Sequence, residues 1–509
     1  FVARAKLYVI MFCSLLLITC VPAASGVLLQ GVAGKNTKDE IAGVPVYNSG
    51  EVGVNEVTQW ILMFKTGSSD SQVQATCNEY SASCDAEGQP SAGGLGFAAL
   101  RASREELEDV VKKHADELEF VEPALPIFIP EGEHPEDEAK GRRRSALLDD
   151  SFANSDLSLL ASPRRLSSPT DRWGLDRIDD RRGFDGTYVA SGDGKGVHVY
   201  VFDTGIRTTH EDFEGRAILA YDTTIGMHRP CAPGHPSCGM DRNGHGTHCA
   251  GTVGGAKSGV AKAVTLHAVK VLGDDGFGST TGVVNAINWV MQKAPKPAVI
   301  SMSLSGLGRS QVHKTAIDRA AAAKVVSVVA GGNSRADACQ YSPAFVPSAI
   351  TVGATDRRDA RASFSNFGTC TDIFAPGVNI LSAWNTSDTN YRSISGTSMA
   401  CPHVAGATAL LLQKNKELGA ADLSNALRSA STKNAISKVG AGSPNMLLYM
   451  SPGDGSDTTP GPTPRPSRRR RRRSTRRRRR SSRRRRSTRR RRRSSRRRSQ
   501  RSAPGLSAE

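Results

Sequence analysis

The chain has 509 residues, more than one hydrophobic core needs, and a length that suggests roughly three domains. Its 38% hydrophobic content suits a globular protein, with few aromatics and 50 glycines. The formal net charge of +19 excludes little, because residues 465–501 hold 25 arginines and no acid; without them the remainder stands at −6, so the basic character belongs to a tail.

Arg4 and Lys6 precede an apolar run from Leu7 to Val21, followed by the small residues Ala23, Ala24 and Ser25. Residues 1–25 are therefore expected to be a secretory signal peptide, which makes the protein secreted or extracellular, with cell wall or matrix as possible destinations. A membrane anchor is the alternative, but about 15 apolar residues fall short of a span. No later stretch is long and apolar enough to cross a membrane, so no span is expected once the signal is removed.

Residues 26–54 carry no clear pattern. Residues 58–65 predict a strand, 103–114 a charged helix around Leu107, Val110 and Val111, and 118–129 a strand ending at Pro130. Together 55–130 read as a small α+β domain. Residues 131–166 read as a processing linker, acidic at first, then carrying Arg142-Arg143-Arg144 and Pro163-Arg164-Arg165.

From Trp173 the pattern changes. Short Val/Ile-rich runs at 196–202, 264–271, 298–304, 325–330 and 349–354 alternate with helical segments at 281–293 and 311–323. Runs this apolar suit strands buried on both faces, and the alternation predicts an α/β fold with a doubly wound, mostly parallel sheet over 167–452. Ligands in such sheets bind beyond the carboxyl ends of the strands. Residues 453–509 become blocks of Arg broken by Ser and Thr and read as a disordered polycation.

Three segments carry chemistry. VYVFDTGI (199–206) puts Asp203 at a strand's end, NGHGTHCAG (243–251) puts His245 at a helix start, and SGTSMACPHVAG (395–406) does the same for Ser398. A serine hydroxyl needs a base to take its proton, and a carboxylate fixes the tautomer of that base. A helix beginning at Ser398 would aim N–H groups at a developing oxyanion. Each residue alone has a plain structural reading as turn residue, buried histidine or helix cap. Their joint occurrence in this order on an α/β chain favours catalysis.

With these flanks the Asp–His–Ser order resembles the subtilisin-like serine proteases, most like the proteinase K and aqualysin branch. WGLDRID (173–179), VYVFDTGIRTTH (199–210), QYSPA (340–344), SFSNFGTCTDIFAPG (363–377) and GSPNMLLY (442–449) carry the likeness over roughly 167–452. It implies a serine endopeptidase of broad specificity acting on polypeptides through an acyl-enzyme. VVAGGNS (328–334) then makes Asn333 an oxyanion donor. SMSLSG (301–306) puts Ser303, Leu304 and Ser305 along the substrate, with Gly278 on the facing strand. The family usually has glycine where Ser305 sits, and an added side chain there would narrow the primary pocket. The likeness implies structural calcium and no catalytic metal: one site at Pro347, Ala349 and Asp372, a second at Asp176, Asp179 and Asp180.

The same resemblance pairs Cys339 with Cys370 and leaves Cys249 free. Cys231 and Cys238 read as a local staple, Cys77 and Cys84 form another close pair, and Cys401 is unassigned; sequence alone does not fix connectivity. Asn385-Thr386-Ser387 is a glycosylation sequon, expected on a surface loop. The 55–130 domain resembles an inhibitory propeptide, an intramolecular partner that is cut off within 130–168, near Leu166-Ser167. The enzyme is expected to be a monomer, and the Arg-rich tail to attach to anionic polysaccharide. A catalytically inactive matrix-binding protein and a nucleic-acid-binding protein are the other two readings. The intact triad and Asn333 argue against the first, and the tail alone supports the second.

Overall fold

The computed structural model describes residues 39–51, 56–80, 83–130, 172–224, 229–232, 235 and 237–450. The expected signal peptide, the linker with its Leu166-Ser167 cut and the Arg-rich tail lie outside these residues. Among the described residues no helix is long and apolar enough to cross a membrane.

The first part comprises strands β1 (Asp39–Ile41), β2 (Val44–Val46), β3 (Thr58–Phe64), helix α1 (Asp70–Glu79), β4 (Cys84–Glu87), β5 (Phe97–Ala102), α2 (Arg104–His114), β6 (Leu118–Pro123) and β7 (Pro126–Phe128). Six of the strands form one sheet in the order β1-β2-β6-β3-β5-β4. β3 is apolar and buried from Trp60 to Phe64 because both faces are covered there. Trp60, Leu62 and Phe64 turn toward Val73 of α1 and Leu107, Val110 and Val111 of α2. Ile61 and Met63 share a core with Val283, Ile287, Val312 and Ile317 of the larger domain. Both helices start at a serine capping box, Ser69 with Gln72 and Ser103 with Glu106.

Three features differ from the sequence-based expectation. The sheet extends back to Asp39, since Val46 pairs with Val121, so this domain does not begin at 55. The expected strand 118–129 is two strands, broken at Ala124 and Leu125 between Pro123 and Pro126. Helix α1 had no counterpart in the sequence pattern.

The larger domain runs α3 (Trp173–Asp179), β8 (His198–Asp203), β9 (Ala217–Asp222), β10 (Arg229–Pro230), α4 (His245–Gly254), β11 (Thr265–Lys270), β12 (Phe277–Ser279), α5 (Thr280–Lys293), β13 (Ala298–Met302), β14 (Gly306–Leu307) and α6 (Gln311–Ala322). It continues with β15 (Val325–Ala330), β16 (Tyr341–Ser342), β17 (Ile350–Thr355), β18 (Ile373–Pro376), β19 (Ile380–Ala383), β20 (Tyr391–Ile394), α7 (Thr397–Lys414), α8 (Ala420–Ala430), β21 (Thr432–Lys433) and β22 (Met446–Leu447).

Ten strands form the central sheet, ordered β10-β9-β11-β8-β13-β15-β17-β18-β22-β21, parallel except for the antiparallel end pairs. Residues alternate between the two cores: Val199 and Val201 face α4 and α7, while Tyr200 and Phe202 face α5 and α6. From β8 the chain winds first toward β9 and β11, then back past it to β13 and β15. That reversal makes the carboxyl end of β8 a topological switch point, where α/β sheets open a crevice. The last residue of β8 is Asp203.

Candidate active site

Asp203 is fully buried. Its carboxylate accepts from Thr204 N at 2.8 Å and lies 2.8 and 2.9 Å from His245 Nδ1. His245 is the first residue of α4 and is positioned by Gly244. That glycine has φ +112°, and a Cβ there would sit 2.4 Å from the Trp384 ring, so no other residue fits. Ser398 lies in the first turn of α7. Its hydroxyl points to the Ser303 carbonyl at 3.5 Å, and both Ser398 and His245 line one cleft of about 380 Å³.

Asn333 follows the carboxyl end of β15. Its Oδ1 accepts from Thr397 N at 2.9 Å and Thr397 Oγ1 at 2.7 Å, which turns Nδ2 toward the cleft. There Nδ2 donates to the Pro130 carbonyl at 3.1 Å. A Cβ at Gly396 would lie 3.2 Å from the same Nδ2, so glycine keeps that approach open.

The segment ending at Pro130 is held as an added strand. β7 pairs antiparallel with β12, Ile127 opposite Gly278, and on its other side Phe128 and Ser305 exchange two backbone hydrogen bonds of 2.9 Å. Ile129 N donates to Gly276 O at 3.0 Å. A peptide gripped on both edges gains affinity from its main chain. Ser305 is buried, and its Oγ lies 3.7 Å from where a Cβ of Gly332 would be, on the wall beside Asn333. Leu304 belongs to the core beneath.

Two supporting residues had escaped the sequence reading. Asp241 accepts five hydrogen bonds, from Thr204 Oγ1, Asn243 N, Gly244 N, Thr247 N and Thr247 Oγ1, all between 2.6 and 2.9 Å. It welds the Asp203 turn to the His245 turn, and burial pushes its carboxyl up. Asn366 accepts from Ser334 N and Ala336 N and donates to Gly331 O, pinning the loop that presents Asn333. An Asp shortly before NGHGT was the only visible signal for Asp241, and for Asn366 only its place in SFSNFGTCTDIFAPG (363–377).

A protein-family model for the subtilase family matches residues 194–446. A cuticle-degrading serine protease from Arthrobotrys oligospora is 43% identical over 289 residues, 54% of this chain and 67% of the relative. The chain belongs to the subtilase family. An extracellular serine proteinase from a Thermus species is 51% identical over 54% of this chain and 65% of its own length. For an alkaline serine exoprotease A from Vibrio alginolyticus the figures are 45%, 58% and 53%. The chain thus spans just over half to about two thirds of the length of these relatives. The solved structure of a cold-adapted subtilisin-like serine proteinase superposes with a TM-score of 0.51 at 47% identity, covering 55% of this chain and 97% of that one.

Around this subtilase site the remaining sequence-predicted residues fall as follows. Disulfides join Cys339 to Cys370, Cys231 to Cys238 and Cys77 to Cys84. Cys249 and Cys401 are free and buried; burial pushes the Cys249 thiol well up and that of Cys401 up to about 12, so neither is a ready nucleophile. Asn385 lies in the turn between β19 and β20, half-buried, and its amide donates to Asp241 O at 3.3 Å.

The acidic cluster near α3 is differently composed from the expectation. Carboxylate oxygens of Asp176, Asp180 and Asp185 lie within 4.8 Å of one another, with Asp185 replacing Asp179. Asp179 is buried beside them; its Oδ2 accepts from Val189 N, its Oδ1 has no partner, and burial pushes the carboxyl up to about 7. Asp372, by contrast, is met by Thr351 N at 2.9 Å and by Arg428 at 3.4 Å. Pro347 and Ala349 lie just ahead of Thr351 on the same chain segment.

Proposed function

We propose that this protein is a secreted serine endopeptidase, made as a self-inhibited precursor that cuts itself. Ser398 is the nucleophile, His245 the general base, and Asp203 the group that orients the base and stabilises its charged form. Asn333 Nδ2 and the backbone N–H of Ser398 stabilise the oxyanion. The observation that carries this reading is the Pro130 carbonyl, which accepts from Asn333 in the same cleft as Ser398 and His245. A carbonyl so held is in the position of a bond about to be attacked, so the first self-cleavage falls at Pro130–Glu131. A later cut near Leu166-Ser167 remains compatible with it.

Substrates are polypeptides bound as an added strand between β12 and Ser303–Ser305, which favours broad sequence preference. The Ser305 side chain narrows the primary pocket and disfavours large aromatic residues at the cut. Asp176, Asp180 and Asp185 hold a structural calcium; crowded hard oxygens beside an unpaired buried Asp179 oxygen fit such an ion. Pro347, Ala349 and Asp372 form a second, weaker candidate because Arg428 already neutralises the carboxylate.

The deciding experiment is hydrolysis of denatured casein by purified protein, wild type against Ser398→Ala. The variant is expected to lose roughly 10⁶ in turnover and to accumulate uncut. Wild type is expected to release a fragment whose new partner begins at Glu131, read by terminal sequencing. An inert wild type, with the propeptide removed and calcium supplied, overturns the reading. Chelation of calcium is expected to lower the melting temperature.

A further inference from the structure

Phe277 is the most exposed aromatic ring among the described residues, 60% accessible even with β7 docked beside it. It lies on β12, the strand that grips the docked segment. In the antiparallel register Phe277 stands directly opposite Phe128, so both side chains project from the same face. Their ring centroids are 6.5 Å apart at 52°, within the range of a favourable aromatic pair.

The neighbouring positions behave differently. Ile127 is 1% exposed and faces inward, opposite Gly278, where any Cβ would meet the Val271 carbonyl at 2.2 Å. Gly306 on the other wall is equally constrained, its Cβ position 2.7 Å from Ile127 Cδ1. Ile129 passes over Gly276, whose Cβ position lies 2.9 Å from Ile129 Cδ1. Glycine thus lines the clamp wherever the docked strand needs room. Outward-pointing Pro126 meets only Ser279, and the exception to this pattern of small residues is the position opposite Phe128, the other outward side chain. An outward side chain on an added strand ordinarily meets water and gives no selectivity. Here a phenylalanine waits for it.

We propose that Phe277 is a specificity-determining residue, selecting a large apolar or aromatic side chain at the third position before the cut bond. Phe128 occupies that position in the chain's own propeptide, counting back from Pro130. The inference rests on the proteolytic reading above and on its register.

The test uses enzyme released from the full chain by its own processing. Quenched-fluorescent peptides that differ only at the third position, Phe, Ala or Glu, are compared by kcat/KM, with the cut bond verified by mass spectrometry. Wild type is expected to prefer Phe over Ala by roughly 3- to 10-fold, with Glu no better than Ala. The Phe:Ala ratio is expected to fall toward one in Phe277→Ala and to persist in Phe277→Tyr. A wild-type ratio near one, or a ratio unchanged in Phe277→Ala, overturns the assignment while leaving the protease intact. No cleavage of any peptide overturns the proteolytic reading, and this inference with it.

Discussion

Pro402 sits four residues after Ser398 in α7 and has no N–H to give its carbonyl. The orphaned Ser398 oxygen accepts instead from Ser303 Oγ at 2.9 Å and from Cys249 Sγ at 3.5 Å. The backbone of Ser398, the proposed nucleophile, is therefore fixed from outside its own helix, by Ser303 and by the helix of His245. In Ser303→Ala only the weak thiol donor remains. The variant is expected to lose about 1 kcal/mol of stability and to lower kcat more than it raises KM, read by thermal unfolding and by steady-state kinetics. Asn333 uses both ends of one amide, Oδ1 on Thr397 and Nδ2 on the Pro130 carbonyl. Asn333→Ala is expected to cost roughly 10²–10³ in kcat with a small change in KM, since the donor acts on charge formed in the transition state. Asp241→Ala would leave five donors without an acceptor, an unsatisfied buried network that lowers stability by roughly 2–4 kcal/mol.

At the next scale, β6 meets α6 through one carboxylate. Glu122 is fully buried and caps the helix, accepting from Val312 N at 2.7 Å, Ser310 Oγ at 3.0 Å and Gln311 N at 3.2 Å, with Asn48 Nδ2 as a fourth donor. Burial still outweighs these donors and pushes its carboxyl from 4.5 up to about 7. A raised carboxyl is protonated more readily docked than free, so its favourable term is complete below about 4.5 and is lost as pH rises through about 7. Nearby His313 is buried, lowered to about 4, and stays neutral across that window, while Arg319 is already paired with Glu119. If the proposed cut frees the domain that carries β6, that domain is thus expected to dissociate faster at pH 8.5 than at pH 6, followed by gel filtration, with the difference reduced in Glu122→Leu. The same elements show what the sequence could reveal. Strands such as β8 and β15 are apolar on both faces, and that signal is local. Helix α1 buries only Val73, Thr76 and Cys77, too weak a stripe to read. β1 and β2 are three residues each and find their place only because β6 offers an edge. The proposed triad was legible because such chemistry demands particular residue types with particular flanks. Asp185 and Asn366 were not, because their roles depend on partners that only the fold brings near.

Over the whole chain, charge is divided unevenly. The chain outside residues 465–501 carries a formal charge of −6, while that short stretch holds 25 arginines. The proposed catalytic residues sit at the end of β8, on α4 and α7 and in the loop after β15, all before residue 452. A polycation of this density attracts any polyanion by long-range forces that salt screens, with a Debye length of about 8 Å at physiological ionic strength. Proteolysis and the proposed polyanion binding are therefore expected to separate on truncation. Protein ending at residue 452 should hydrolyse casein at the wild-type rate. It should pass through a sulfated-polysaccharide column that retains the full chain at low salt and releases it as salt rises. Retention of the truncated protein would place the binding surface on the folded part instead. Loss of casein hydrolysis on truncation would mean that the tail supports folding or maturation of an enzyme whose active-site residues all lie upstream of it.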